Sequence, residues 1–320
     1  MASLSTTGTL YVYGDSYSEI ANNSRRTNGP VWSERLAEAW GLQLQSYAAL
    51  GSRTCRASDV ASPSIASQVE RYRNTVAHGD QQHSGSTNDV HAFFIGVTDI
   101  TNSTKFEANN LVGCINQQIA NLQQVDPQVK VLLLGIPPLE YSPFYANHTD
   151  QERIKARVNE YNVGLEDVAT DTKDDMKVPL SFIDNNFLFA DILGNPDGYG
   201  LKDVDHAYWN QCQGRCDDSM DTYLWWDSIH LTGAGHKAIA DTIITKNPFG
   251  YAVGGDSSDD YYDAFLTSSG DYVQYAPWFM LFCVLVIAVM MMRPKHGFKA
   301  TLRSLWKQRR DAHAYTSVPV

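Results

Sequence analysis

Short apolar runs alternate with amphipathic stretches along the first 250 residues of this 320-residue chain. The runs at residues 92–97 (AFFIGV) and 129–136 (VKVLLLGI) are almost wholly apolar, which is typical of strands buried on both faces of a sheet. The stretches between the runs carry apolar residues at helical spacing. Because crossovers between parallel strands are right-handed, this alternation predicts an α/β fold, a three-layer α/β/α sandwich around a parallel sheet.

The pattern also predicts where the elements lie. The predicted strands cover residues 10–13, 42–48, 92–97, 129–136 and 180–183. The predicted helices cover residues 29–40, 65–76, 111–125, 151–170 and 235–245. Residues 191–226 fit neither pattern and are predicted to form a long, irregular, aromatic-rich excursion. Two interpretations of it stay open, a wall of a substrate cleft that includes Trp225 and Trp226, or a packed surface loop.

A second apolar segment follows this domain. Residues 276–292 (APWFMLFCVLVIAVMMM) are uncharged and predict one C-terminal transmembrane helix, at the short end of the spanning range. Aromatic residues before it and Arg293 after it favour this interpretation over the alternative, a buried core helix. The predicted organisation is a domain at residues 1–250, a flexible acidic stalk at 251–275, the transmembrane helix at 276–292 and a basic tail at 293–320.

Charge predicts the orientation of the chain in the membrane. The net charge is -11, yet seven Lys and Arg residues and only one acid follow Met292. Basic residues mark the cytoplasmic side, so we expect a cytoplasmic tail, a lumenal or extracellular body, and contact with the bilayer through residues 276–292. The acidic body disfavours nucleic-acid partners.

The N-terminal residues do not fit this orientation. Residues 1–9 (MASLSTTGT) lack the apolar core of a signal peptide. Either the N-terminus is incomplete, or the protein is inserted by its tail with its body in the cytosol. Glycosylation sequons that begin at Asn22, Asn102 and Asn147 weakly favour the exported body.

Cysteines give a further indication. Cys212 and Cys216 lie close together in a polar segment, which predicts a local disulfide. The alternative is a metal site with His206, but it would need more ligands, so we predict no metal. The sequence does not assign Cys55 and Cys114 to a bond, and buried free thiols are the default expectation for them.

Polar residues follow the first three predicted strands. Ser16 follows the first, Gly51 the second, and Thr98 and Asp99 the third. The carboxyl ends of parallel strands meet at one edge of a sheet, where ligands bind. Asp227 and His230 precede the last helix, in a loop that can return to this edge. The edge would then hold a nucleophile, a base and a carboxylate, the three groups used in acyl transfer.

Four short motifs in order resemble the conserved blocks of the GDSL, or SGNH, hydrolases. They are GDSYS at residues 14–18, SYAALGS at 46–52, GVTD at 96–99 and DSIH at 227–230. The resemblance covers about residues 8–248, and the aromatic run before DSIH is most similar to the fungal and plant branch, which includes carbohydrate acetylesterases. It implies a flavodoxin-like sandwich and a serine esterase that needs no cofactor.

The resemblance assigns roles to these residues. Ser16 is the expected nucleophile, His230 the base, since imidazoles titrate near neutral pH, and Asp227 the carboxylate that orients the imidazole. Asp15 is expected to accept hydrogen bonds within its turn, and Asp99 to brace its loop.

The expected oxyanion hole departs from the family pattern. Its donors are the backbone N–H groups of Ser16 and Gly51, but the third donor of the family is an asparagine where this chain has Thr98. The first hypothesis is therefore a membrane-anchored serine esterase acting on small acyl esters, with O-acetyl carbohydrates as candidate substrates. The alternatives are a catalytically impaired surface or binding protein, or a lipase or thioesterase activity of the same fold.

Overall fold

Five parallel strands form the central sheet. The computed structural model describes residues 8–21, 26–55, 63–77, 88–172, 178–213 and 215–253. The strands are β1 (Thr9–Gly14), β2 (Gln43–Ser46), β3 (Val90–Phe94), β4 (Lys130–Leu134) and β5 (Leu180–Ile183). Their order is β2-β1-β3-β4-β5, and all neighbours are parallel. The order turns back at β1, as in doubly wound sheets of flavodoxin type.

Helices cover both faces of this sheet. They are α1 (Trp32–Trp40), α2 (Ile65–Ala77), α3 (Val97–Asn102), α4 (Ala108–Gln123), α5 (Gln151–Asp167), α6 (Asn185–Gly194), α7 (Tyr208–Cys212) and α8 (Gly233–Lys246). α1 packs against α8, while α2 and α5 pack against α4. Right-handed crossovers in opposite directions along the sheet put these two groups on opposite faces. The predicted α/β fold is confirmed.

The apolar runs are buried strands, as predicted. Every residue of β3 is buried, and so are the last four residues of β4. The run at 92–97 ends sooner than predicted, because Gly96 has φ 129° and Val97 begins α3. A Cβ at Gly96 would lie 2.7 Å from the Tyr161 ring, so this turn requires glycine.

The aromatic excursion is more regular than predicted. It contains the end of α6, all of α7 and two short strands, β6 (Asp203–Ala207) and β7 (Tyr223–Trp225), which pair in parallel. These strands lack an apolar alternation, so periodicity could not identify them. β7 leads directly into the segment that carries Asp227 and His230.

Two disulfides link described residues. Cys55 is bonded to Cys114 and Cys212 to Cys216, with S–S distances of 2.02 and 2.08 Å. The expectation of free thiols at Cys55 and Cys114 was therefore wrong. The fold brings the segment after β2 against α4, where the two Cα atoms are 5.4 Å apart, within the usual range for a disulfide.

The membrane predictions fall outside the described part of the chain. Residues 276–292, the tail, most of the predicted stalk and Asn22 are not among the described residues. Within the described ranges, no helix is both long enough and apolar enough to cross a bilayer.

An aromatic cluster lies between α2 and the sheet. The His91 ring packs on Tyr11, Tyr13 and Tyr72, with ring centroids 4.8, 5.9 and 4.9 Å away. Its Nδ1 is 3.0 Å from the Tyr13 hydroxyl. Burial disfavours the charged imidazolium and lowers the pKa of His91 to about 3.

This shift makes stability depend on pH. An unfolded histidine has a pKa near 6.5, so between about pH 6.5 and 3 the unfolded chain binds the extra proton. The contribution of His91 is complete above pH 6.5 and is lost as the pH falls, by up to about 1.4 kcal/mol per unit. We expect the stability difference between wild type and His91→Phe to shrink or reverse on acidification, measured by chemical denaturation from pH 7.5 to 4. A difference independent of pH would contradict this.

Candidate active site

Ser16 lies in a tight turn directly after β1. The Ser18 N–H donates to the Asp15 carbonyl at 3.1 Å and closes the turn. Ser16 is only half-buried, although Asp15 and Tyr17 on either side are buried. The turn therefore presents the Ser16 hydroxyl at the carboxyl edge of the sheet while its neighbours anchor it in the core.

Ser16, His230 and Asp227 form a continuous chain of hydrogen bonds. His230 Nε2 is 3.1 Å from Ser16 Oγ. His230 Nδ1 is 2.8 and 2.9 Å from the two carboxylate oxygens of Asp227. The hydroxyl and the imidazole are 214 residues apart in sequence and meet because β1 and the loop before α8 reach the same edge. This is the geometry of a nucleophile, its base and an orienting carboxylate.

Asp227 is held in its ionised form. Its Oδ1 also accepts the backbone N–H groups of Ile229 and His230, at 3.0 and 2.8 Å. Burial alone would raise the pKa of Asp227, but the His230 side chain and these two N–H groups together outweigh it, so the pKa lies below its usual value. The backbone N–H of Trp226 donates to the His230 carbonyl at 2.8 Å and closes the loop that carries Asp227 and His230.

Asp15 joins the serine turn to the end of β3. Its Oδ1 accepts the Tyr17 N–H at 3.1 Å, and its Oδ2 accepts the N–H groups of Gly96 and Val97 at 3.2 and 3.1 Å. Burial raises the pKa of Asp15 to about 6, although these three N–H groups act in the opposite direction. Asp15 thus bonds to backbone and lies outside the chain of Ser16, His230 and Asp227.

The loop after β2 carries Gly51, the candidate backbone donor. Gly51 is exposed and has φ 75°, a left-handed conformation that favours glycine. The Ala49 N–H donates to the Gly14 carbonyl at 3.2 Å, which fixes this loop beside the serine turn.

Asp99 braces the same loop. It is buried and accepts both the backbone N–H and the hydroxyl of Thr54, each at 2.8 Å. Burial raises the pKa of Asp99, against the effect of these bonds and of Arg53. The carboxylate thus ties α3 to the segment that follows Gly51.

Thr98 is the second residue of α3 and is partly exposed. Its neighbour Val97 is bonded to Asp15, which fixes the start of the helix at the edge that carries Ser16. Among the described residues, the Thr98 hydroxyl has no hydrogen-bond partner.

The two predicted wall residues differ from each other. Trp225 is only 1% exposed, and its indole N–H donates to the Val204 carbonyl at 2.8 Å. This bond joins β7 to β6, and the buried Trp225 fits the packed interpretation rather than the wall of a cleft. Trp226 is partly exposed and contacts Trp209, with ring centroids 5.5 Å apart. Trp209 is 53% exposed, and its backbone N–H donates to the Trp226 carbonyl at 3.0 Å.

Cys212 and Cys216 pack near Trp226 and form a disulfide with each other. Neither thiol is therefore available for the alternative metal site. His206 pairs with Asp203 instead, at 3.0 Å. Within the described residues, no group of three or more potential ligands is arranged to hold a metal ion.

Sequence reasoning missed a tyrosine that joins the two halves of the site. The buried Tyr17 donates its hydroxyl to the Ile229 carbonyl, and its ring centroid lies 5.9 Å from that of His230. Tyr17 follows the nucleophile, so one side chain links the serine turn to the histidine loop. No spacing rule pairs positions 212 residues apart.

The family model of GDSL-like lipases/acylhydrolases matches residues 10–243. The thermolabile hemolysin of Vibrio parahaemolyticus is 23% identical over 240 residues, which cover 69% of this chain and 55% of that protein. The chain thus spans about half the length of this relative.

Solved structures to which the chain is similar include two carbohydrate esterases and a lipase/acylhydrolase. A family two carbohydrate esterase from Clostridium thermocellum is 14% identical (77% of this chain, 65% of that chain, TM-score 0.48). A carbohydrate acetylesterase from Sinorhizobium meliloti is also 14% identical (75% and 97%, TM-score 0.43). A lipase/acylhydrolase from Enterococcus faecalis is 13% identical (75% and 95%, TM-score 0.43). Because the family model spans most of the chain, the resemblance is confirmed, and this protein belongs to the GDSL-like lipase/acylhydrolase family.

Proposed function

We propose that the protein is a serine-type carboxylic ester hydrolase. The observation that carries this proposal is the unbroken hydrogen-bond chain from Ser16 Oγ through the His230 imidazole to the Asp227 carboxylate. A serine hydroxyl is a weak nucleophile until a base accepts its proton. The family supports the same chemistry.

The geometry supports an acyl-enzyme mechanism. Ser16 Oγ attacks the ester carbonyl while His230 Nε2 takes the hydroxyl proton, and Asp227 stabilises the imidazolium. The backbone N–H groups of Ser16 and Gly51 donate to the oxyanion. The bond to the alcohol oxygen then breaks, and His230 returns the proton to that oxygen. Water, deprotonated by His230, then attacks the carbonyl of the acyl-enzyme. The bond from the acyl group to Ser16 Oγ breaks, His230 returns the proton to Ser16 Oγ, and the carboxylic acid is released.

Removing the nucleophile tests the proposal directly. We expect full-length wild type to hydrolyse p-nitrophenyl acetate and Ser16→Ala to lower kcat by on the order of 10⁵–10⁶, as deletion of a triad serine does. Ser181→Ala, a matched change in β5, should leave kcat unchanged. Equal hydrolysis by wild type and Ser16→Ala would refute the assignment of Ser16.

Thr98 motivates a second candidate function. A threonine reaches less far than the asparagine typical of the family, so an incomplete oxyanion hole would suit a binding or surface protein of the same fold. We favour a working hole, since the Thr98 hydroxyl has no partner among the described residues and stands in the first turn of α3. It is available as a third donor to a substrate oxygen.

Two substitutions at this position separate the candidates. If Thr98 donates, the isosteric Thr98→Val should lower kcat by about 10²-fold, measured with p-nitrophenyl acetate. The second function is favoured if Thr98→Val has no effect, Thr98→Asn raises kcat by a comparable factor, and the wild type fails to label with a fluorophosphonate.

Trp209 and Trp226 form an aromatic surface beside Asp227. This surface favours a substrate with a cyclic alcohol, such as an O-acylated carbohydrate. Trp209 and Trp226 present partly exposed rings, and Trp226 directly precedes Asp227. Flat aromatic faces suit the apolar faces of sugar rings. His230 must protonate the leaving alcohol, so a sugar ring of the alcohol would lie near this loop. Lipase and thioesterase activities are the alternatives.

Truncation of the exposed ring tests this substrate class. We expect Trp209→Ala to raise KM for an acetylated oligosaccharide by about 5- to 10-fold, equivalent to about 1 kcal/mol. KM for vinyl acetate, which has no ring, should not change. Parallel losses on both substrates, or a preference of the wild type for long-chain acyl esters, would contradict the carbohydrate assignment.

We further propose a single-pass anchor at residues 276–292, with a lumenal or extracellular catalytic domain and a cytoplasmic tail. The basic tail supports this orientation. Two disulfides in the described domain support it as well, because disulfides persist in oxidising compartments. Asn102 and Asn147, which begin two of the sequons, are both exposed.

Glycan removal and protease protection test the orientation. We expect an N-glycan-removing enzyme to increase the gel mobility of the expressed protein, and Asn102→Gln with Asn147→Gln to reduce that shift. In intact microsomes the domain should resist added protease. Digestion of an unglycosylated domain from outside the microsomes would establish the reverse orientation.

A further inference from the structure

Gln68 is a buried residue of α2 whose side-chain amide bonds to two separate segments of the candidate active site. Its Oε1 accepts the Gly14 N–H at 2.9 Å, and its Nε2 donates to the Gly14 carbonyl at 2.8 Å. The same Nε2 donates to Ser52 Oγ at 2.9 Å. Gly14 lies two residues before Ser16, and Ser52 directly follows Gly51. One planar group thus spans the segments that carry the nucleophile and the candidate oxyanion donor.

An amide is the side chain that these contacts require. Gly14 offers a donor and an acceptor, and the Ser52 hydroxyl accepts, so the partner must supply both a carbonyl oxygen and an NH₂ group. Gln68 and Ser52 are both buried. Losing the amide would therefore leave polar groups unpaired where water cannot replace it.

Other contacts also hold the Gly51 loop. The Ala49 N–H donates to the Gly14 carbonyl at 3.2 Å, but this bond joins backbone to backbone and does not reach the residue after Gly51. Among the side chains, Glu19 accepts the Leu50 N–H at 3.3 Å and Asp99 accepts the Thr54 N–H at 2.8 Å, and neither of these two bonds reaches β1. Gln68 alone among these side chains bonds both to β1 and to the residue after Gly51.

We propose that Gln68 is a positioning residue that sets the Gly51 N–H relative to Ser16, an inference that rests on the proposed esterase function. A fixed donor acts on the charge that develops on the substrate oxygen in the transition state. Bound ester carries little charge on that oxygen, so a misplaced donor lowers kcat far more than it alters KM. Displacements on the order of 1 Å can cost about 10²-fold in rate.

The chain offers a matched control for this amide. Asn162 is a buried amide that accepts the Ile136 N–H and donates to the Ile136 carbonyl, both at 2.8 Å. It pairs with the backbone just beyond β4 as Gln68 pairs with the end of β1, without any contact to the Gly51 loop. Asn162→Leu therefore shows how kcat changes when a backbone N–H and carbonyl lose their amide partner but the Gly51 N–H keeps its position.

The experiment compares full-length wild type, Gln68→Met and Asn162→Leu by kcat and KM for p-nitrophenyl acetate, with folding checked by near-ultraviolet circular dichroism. We expect Gln68→Met to lower kcat by about 10- to 100-fold, with KM within about threefold. Asn162→Leu should keep kcat within about threefold. A folded Gln68→Met with the kcat of Asn162→Leu, or with a raised KM and unchanged kcat, overturns the inference.

A second variant keeps the test decisive if Gln68→Met does not fold. Ser52→Ala removes only the hydroxyl that accepts the bond from Gln68 Nε2. It should therefore lower kcat less than Gln68→Met does. In folded proteins the double variant should be no slower than Gln68→Met alone, because both changes break one connection. Unchanged kcat in Ser52→Ala, or additive losses, overturns the inference.

Failure of the underlying function is distinguishable. A wild type that neither hydrolyses esters nor labels with a fluorophosphonate overturns both proposals. An active wild type with either adverse result above overturns only the role of Gln68.

Discussion

The buried carboxylate of Asp15 is the interaction on which the catalytic edge depends. A carboxylate taken out of water is costly unless donors replace its hydration. Here three backbone N–H groups do so, one from the serine turn and two from the junction between β3 and α3. These hydrogen bonds replace the hydration of the carboxylate. They also fix the turn that carries Ser16 to the segment that carries Thr98.

The remaining segments of the site are attached to this pair by side chains, most of which bond to backbone. Gln68 connects β1 to the Ser52 hydroxyl in the loop of Gly51, and Tyr17 connects the serine turn to the histidine loop. Asp99 connects α3 to Thr54. Bonds to backbone fix the positions of the turn that carries Ser16 and of the loop that carries Gly51, a candidate donor. The loops of the site gain a rigidity that their lack of regular structure would not provide.

The sequence predicts the frame of the fold well because strands buried on both faces leave an unmistakable apolar run. The runs at 92–97 and 129–136 contain most of β3 and β4, whose residues are almost all buried. The shorter run at 180–183 coincides with β5 (Leu180–Ile183), which is only partly buried. Their ends are less predictable. An apolar residue such as Val97 continues the pattern, but its N–H is bonded to Asp15, which turns the chain into α3.

The site was predictable only where topology determines position. Residues that follow parallel strands must meet at one edge, which brings together Ser16, Gly51 and Thr98. Contacts between side chains on separate elements have no such rule. The bond between Cys55 and Cys114 joins positions 59 apart. The aromatic run before Asp227 likewise does not reveal that Trp225 faces the core while Trp226 reaches the surface.

Asp15, Asp99 and Asp227 lie at this edge in different surroundings. Asp15 and Asp99 are nearly inaccessible, and burial raises the pKa of each, although the groups around them partly offset it. Asp227 is more open to solvent, and its main partner is an imidazole, so its pKa falls below the usual value. In the proposed mechanism, the carboxylate beside His230 stabilises the imidazolium that forms when the imidazole takes the serine proton. Of these three side chains, Asp227 is the one that bonds to His230, whereas Asp15 and Asp99 bond to backbone N–H groups.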